Sequence, residues 1–126
     1  ARALAERFWP GPLTLLVAAP ERLPRTVTGG TDRVGVRVPA HAVTRALCRA
    51  CGTLLTATSA NVSGRPGTND PDEVAASLGE ALDVILDAGT TTGGPPATIV
   101  DVTDPAPRLI RAGAISWETI QACLNV

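Results

Sequence analysis

Seven residues, Arg33-Val34-Gly35-Val36-Arg37-Val38-Pro39, alternate polar or small with apolar at a period of two. Only an extended strand repeats its side chains at that interval. The valines therefore share one face, and Arg33, Gly35 and Arg37 share the other. Valines need a core. An arginine flanked by apolar residues is costly to bury unless an anion meets it. Two readings follow: an intramolecular salt bridge to an acid such as Asp32, Asp87 or Asp101, or a site for a carboxylate or phosphate.

The rest of the chain supplies elements of both kinds. Ala1 to Phe8 reads as the last turns of a helix, stopped by Phe8-Trp9-Pro10-Gly11-Pro12, where two prolines around a glycine force a corner. Leu13 to Ala19 is nearly all apolar and reads as a strand buried on both faces. Pro20 to Asp32 is a polar connection. Ala40 to Cys51 fits a helix with Val43, Ala46, Leu47 and Ala50 as its stripe, closed by Gly52. Thr53 to Thr58 reads as a strand feeding a polar loop. Asp70 suits an N-cap, Pro71 the first helical position, and Glu73 the acid of a capping box, for a helix to Leu78. Asp83–Asp87, Ala97–Val102 and Arg108–Arg111 read as strands, and Ser116 caps a helix from Trp117 to Leu124. The class is α/β, a mixed sheet with flanking helices in a single domain, 1–126.

Composition narrows the chemistry. All 11 basic residues are arginine, so no lysine of this chain forms a Schiff base or a P-loop. Net charge is −1, which draws it to neither nucleic acid nor membrane, and no run approaches a membrane span. Phe8, Trp9 and Trp117 are the only aromatics, a poor supply of base-stacking platforms. His41 is the only histidine, and no metal-ligand spacing or Ser/His/Asp set is present. Cys48, Cys51 and Cys123 form an odd set, read as reduced structural thiols of a cytoplasmic protein.

The loop Ala57-Thr58-Ser59-Ala60-Asn61-Val62-Ser63-Gly64-Arg65-Pro66-Gly67 is dense in hydroxyl, amide and glycine groups. It reads either as an ordinary turn or as a phosphate-binding set of donors at a strand's C-terminal end.

Four segments, Phe8-Trp9-Pro10-Gly11-Pro12-Leu13-Thr14, Val36-Arg37-Val38-Pro39, Ser59-Ala60-Asn61-Val62-Ser63-Gly64 and Arg111-Ala112-Gly113, occur in the order and spacing of the YrdC-like family of threonylcarbamoyl-AMP synthases. The resemblance runs from Phe8 to about Leu124. It implies an open twisted α/β sheet. It also implies synthesis of threonylcarbamoyl-adenylate from L-threonine, bicarbonate or CO2, and ATP with Mg2+, releasing pyrophosphate for threonylcarbamoyladenosine in tRNA.

By matching position, Arg37 takes the threonine carboxylate, and Ala57 and Ala97 stand at threonine contacts. Ser59 and Asn61 are the catalytic Ser-x-Asn pair at the ATP phosphates, and Arg33, Gly67 and Arg111 are further ATP positions. Implied partners are tRNA or double-stranded RNA and the downstream threonylcarbamoyl transferase complex. Two departures stand out. The family pattern begins upstream of Ala1 with a Lys-x-Arg motif, so the chain resembles the C-terminal two-thirds of the domain. Ala97 stands where many members carry a serine. A nucleotide- or RNA-binding module without turnover, and the carbamoyl-transfer domain of hydrogenase maturation proteins, are the other readings of the same fold.

Overall fold

The computed structural model describes residues 1–124. They form two compact units: Ala1–Thr53 with the segment from Pro95 onward, and Leu54–Gly94.

The first unit is built on a four-stranded sheet. Its strands are β1 (Leu13–Ala18), β2 (Arg33–Val36), β3 (Thr98–Asp101) and β4 (Arg108–Arg111), in the order β2-β1-β3-β4. β1 runs antiparallel to β2 and parallel to β3, and β3 pairs antiparallel with β4, so the sheet is mixed as expected. Helices α1 (Arg2–Phe8) and α5 (Trp117–Leu124) supply Leu4 and Ile120 to one core with Leu13, Leu15 and Val100. All five side chains are buried, each contributing roughly 1.5–3 kcal/mol relative to exposure. The register puts Val34 and Val36 beside Val17 and Leu15, on this core side. Ser116 caps α5, accepting from the backbone N–H of Thr119 at 3.2 Å.

Two expectations for this unit change. β1 is buried on one face only: Leu13 and Leu15 are buried, while Thr14 and Leu16 between them are half-exposed. The core helices cover one side of the sheet, so only that side of β1 is fully buried. The polar connection also holds a short helix, α2 (Arg25–Thr28), which Pro24 starts and Gly29 ends at φ 64°. Helix α3 (Ala42–Cys51) has His41 at its N-cap and Gly52 in the left-handed conformation at its end. Cys48, Cys51 and Cys123 are free thiols, but none is buried.

The second unit holds α4 (Pro71–Leu78) and a single 3₁₀ turn, Gly79–Ala81. Asp70 accepts the backbone N–H of Asp72 at 2.9 Å, the cap read from the sequence. Glu73 does not close the capping box. It pairs with the Thr68 hydroxyl, and that hydroxyl accepts the Asp70 N–H at 3.1 Å. Neither Thr53–Thr58 nor Asp83–Asp87 is a strand. Leu54 is 91% and Val84 78% exposed. An apolar run becomes a strand only beside a neighbour that completes its hydrogen bonds, and among the described residues neither run has one. No described helix is long and apolar enough to cross a membrane.

Candidate functional site

Opposite the core, the sheet of the first unit presents the side chains that alternate out of the register. Leu15 faces Val36, so one step further sets Arg37 beside Thr14. Thr14 is aligned with Ile99, and Ile99 with Arg111. Arg37, Thr14, Ile99 and Arg111 thus form one row across four strands. Three strand spacings put the two arginine backbones roughly 14 Å apart.

Each arginine of the row is held by a backbone carbonyl. Arg37 Nε donates to the Gly11 carbonyl at 2.9 Å. Arg111 donates through Nε and Nη2 to the Ala97 carbonyl at 3.2 and 2.7 Å. Both guanidiniums are exposed, and among the described residues neither pairs with a carboxylate. A neutral acceptor orients the fork and leaves the charge uncompensated, so each can still receive an anion.

The sequence motifs explain those carbonyls. Gly11 sits in the Pro-Gly-Pro corner, its N–H donating to the Val38 carbonyl at 2.8 Å. A Cβ there would stand 2.3 Å from the Phe8 carbonyl oxygen, so only glycine fits. The Trp9 indole N–H donates to the Leu13 carbonyl at 2.7 Å and ties the corner to β1. At the other end Gly113 packs on the backbone entering β3, and Thr98 bridges to Ile115 in both directions, at 2.7 and 2.9 Å. Gly11, Gly113 and Thr98 fix the backbone on which the arginines are placed. Their spacing to the arginines, in Pro-Gly-Pro and Arg-Ala-Gly, was the available signal.

A second cluster lies further along the same face. Asp101, 1% exposed, accepts Arg33 Nη1 at 2.7 Å and Arg108 Nη2 at 3.2 Å through Oδ2. Its Oδ1 accepts the Thr103 N–H at 2.9 Å and hydroxyl at 2.6 Å. Arg33 also lies 3.7 Å from Asp32, and Arg108 3.1 Å from Asp104. Of the two readings of the strand arginines, Arg33 realises the salt bridge. It reaches across β1 to do so.

The Thr103 hydroxyl and N–H hold the Asp101 carboxyl down, from the usual 3.8 to about 2, with Arg108 and Arg33 assisting against the opposing effect of burial. A carboxyl depressed in the folded state stabilises the fold fully above its unfolded value and loses that contribution as pH falls through the folded one. Stability should therefore decline as pH drops from about 4 towards 2. Denaturant titrations across that range check this, and Asp101→Asn should remove that part of the decline.

The second unit holds the other sequence-derived positions. The Asn61 amide donates through Nδ2 to the Val62 and Arg65 carbonyls at 3.0 and 2.8 Å, closing the loop on itself. Arg65 N–H returns a bond to Val62 O at 2.9 Å, and Gly64 takes φ 82°. So the segment is a turn. It also keeps free groups: the buried Asn61 Oδ1 has no partner among the described residues, and a Cβ on Gly67 would stand 3.9 Å from it. Ala57 and Ser59 are exposed, and the Ser59 carbonyl accepts the Asn61 N–H at 3.1 Å. The structure thus sets Arg37 and Arg111 in one row, bonds the Ala97 carbonyl to Arg111, sets Arg33 in the acid-paired cluster, and carries Ala57, Ser59, Asn61 and Gly67 on one loop. Among the described residues no three His, Cys, Asp or Glu side chains converge on a metal position.

Comparison with known proteins adds to this geometry. Residues 1–113 match the Sua5/YciO/YrdC family, whose description reads telomere recombination. Threonylcarbamoyl-AMP synthase of Pyrococcus abyssi is 40% identical over 125 residues, covering 99% of this chain and 37% of the relative. The protein of the same name from Bacillus subtilis is 38% identical over 126 residues, covering 99% of this chain and 36% of the relative. The chain thus spans little more than a third of the length of these relatives. The crystal structure of P. abyssi Sua5 complexed with L-threonine superposes with a TM-score of 0.90 at 39% identity, over 98% of this chain and 36% of that one. E. coli YciO superposes with a TM-score of 0.79 at 28% identity, over 94% of this chain and 57% of that one.

Proposed function

Since the chain belongs to the Sua5/YciO/YrdC family, we propose that it carries part of the machinery that makes threonylcarbamoyl-AMP from L-threonine, bicarbonate or CO2, and ATP, with release of pyrophosphate. One observation supports this reading most. Two strand arginines share a row, are oriented by carbonyls, and keep their charge. The substrates offer two matching anions, an amino-acid carboxylate and a phosphate chain. L-Threonine is the ligand of the similar P. abyssi structure.

In this reading Arg37 receives the threonine carboxylate as a two-pronged pair, and Arg111 receives phosphate. Arg111 spends Nε and Nη2 on the Ala97 carbonyl and keeps its remaining N–H groups for phosphate. Arg33 meets ATP only through donors not spent on Asp101. The reaction joins a carbamate oxygen of threonylcarbamate to the α-phosphorus and breaks the bond to pyrophosphate. Negative charge grows on phosphoryl oxygens, and the Ser59 hydroxyl and the Gly67 backbone N–H are donors suited to it, while Asn61, its amide nitrogen spent on Val62 and Arg65, shapes their loop. The remainder is positioning. Mg2+ enters with the nucleotide as part of the substrate. Transfer of the product to tRNA belongs to a separate transferase complex.

Incubation with MgATP, bicarbonate and L-threonine should release pyrophosphate, and omitting threonine should abolish the release. Release that persists without threonine, or that carbamoyl phosphate supports in its place, would contradict the proposal.

A further inference from the structure

Thr14 stands between the two uncompensated arginines in the row across the sheet. Its neighbours on β1, Leu13 and Leu15, are buried in the core, so Thr14 is turned to the arginine face. Its methyl is fixed there: a Cβ on Gly35 would come within 3.2 Å of Thr14 Cγ2. Gly35 thus leaves the room in which that methyl packs. The hydroxyl is different. It makes no hydrogen bond among the described residues, whereas Thr98 and Thr103 on the same sheet and its following turn both bond. A half-exposed hydroxyl on a central strand, with its methyl packed and its oxygen unspent, is a polar group ready for a ligand.

The row also says which part of a ligand it meets. A molecule with its carboxylate on Arg37 and its phosphoryl group on Arg111 must cross Thr14 and Ile99, the only side chains between them in that row. Ile99 offers no polar atom. We infer that Thr14 is a substrate-binding residue whose hydroxyl hydrogen-bonds the carbamoyl group linking the amino-acid and phosphoryl ends of the bound molecule. This rests on the functional reading above and deepens it. A hydroxyl both donates and accepts, so it can serve the carbamate oxygen before attack and the carbamoyl group after it.

The test is calorimetric titration of L-threonine, in bicarbonate buffer with a non-hydrolysable ATP analogue, into the wild-type chain, Thr14→Val and Thr14→Ser. Valine keeps the branched shape and the methyl against Gly35 and removes only the oxygen. Serine keeps the oxygen and removes the methyl. Thr14→Val should weaken binding about five- to tenfold, the worth of one hydrogen bond, with an unchanged melting temperature. Thr14→Ser should stay within about twofold of wild type. Equal binding by wild type and Thr14→Val would overturn the role of Thr14 and leave the functional reading standing. Equal losses in both variants would mark Thr14 as structural and overturn it as well. Failure of the wild type to bind threonine at all would instead overturn the functional reading, and this inference with it.

Discussion

Replacing Gly113 with alanine should cost the first unit at least about 3 kcal/mol, the range reached by substitutions that force a backbone apart. The added Cβ would lie 2.3 Å from the Pro96 oxygen, 2.6 Å from the Ala97 carbonyl carbon and 2.6 Å from the Thr98 nitrogen. All three are backbone atoms, so no side chain can rotate away. Relief requires moving the Arg111–Ala114 segment from the start of β3. That movement breaks the Ala114 N–H bond to the Pro96 carbonyl at 2.9 Å and strains the Thr98 link to Pro12 at 3.0 Å. It also pulls Arg111 off the Ala97 carbonyl. Thermal unfolding should show a melting temperature lower by at least about 12 °C. Gly79→Ala is the control. Gly79 has helical dihedrals, φ −51° and ψ −40°, and open space around it, so alanine there should be neutral or slightly stabilising.

The second large effect concerns binding rather than folding. Arg37→Gln should reduce affinity for L-threonine about 10- to 100-fold, the worth of a charged hydrogen-bonded pair. Stability should change little, because the exposed guanidinium gives up a single internal bond, to the Gly11 carbonyl. Arg37→Lys keeps the charge but loses the fork and should recover part of the affinity. Arg2→Gln, on an exposed helix position paired with Glu6, should bind as wild type does. Equilibrium titration of threonine into the three variants checks the order.

These effects were legible in the sequence to different depths. The period-two pattern around Val36 gave β2 and its arginine face, because a strand separates its two sets of side chains whatever surrounds it. Asp70-Pro71 and Ser116 marked helix starts because capping is a local event. Thr53–Thr58 and Asp83–Asp87 failed as strands for the opposite reason: a ladder needs a partner, and apolar content cannot supply one. The same limit applies to the site. Arg37 and Arg111 could be named from their motifs, and Asp101 could be weighed as a partner for Arg33. That Arg37, Thr14 and Arg111 share a row depends on register across β2, β1, β3 and β4, which bring together positions almost a hundred residues apart. The steric need for Gly11 and Gly113 likewise exists only once the chain has folded back on Phe8 and Pro96. Asn61 was read as a donor to ligand. In the structure its amide nitrogen closes its own turn, and its oxygen is the group left over.

In the proposed reaction carbonyl-held Arg37, rather than an acid-paired arginine, receives the amino-acid carboxylate. Arginine side-chain Nε–Hε resonances report this directly when L-threonine is titrated into isotopically labelled protein. The Arg37 resonance should shift in a saturable manner while that of Arg108, held by Asp101 and Asp104, stays in place. A stationary Arg37 signal, or a larger shift at Arg108, would contradict the account.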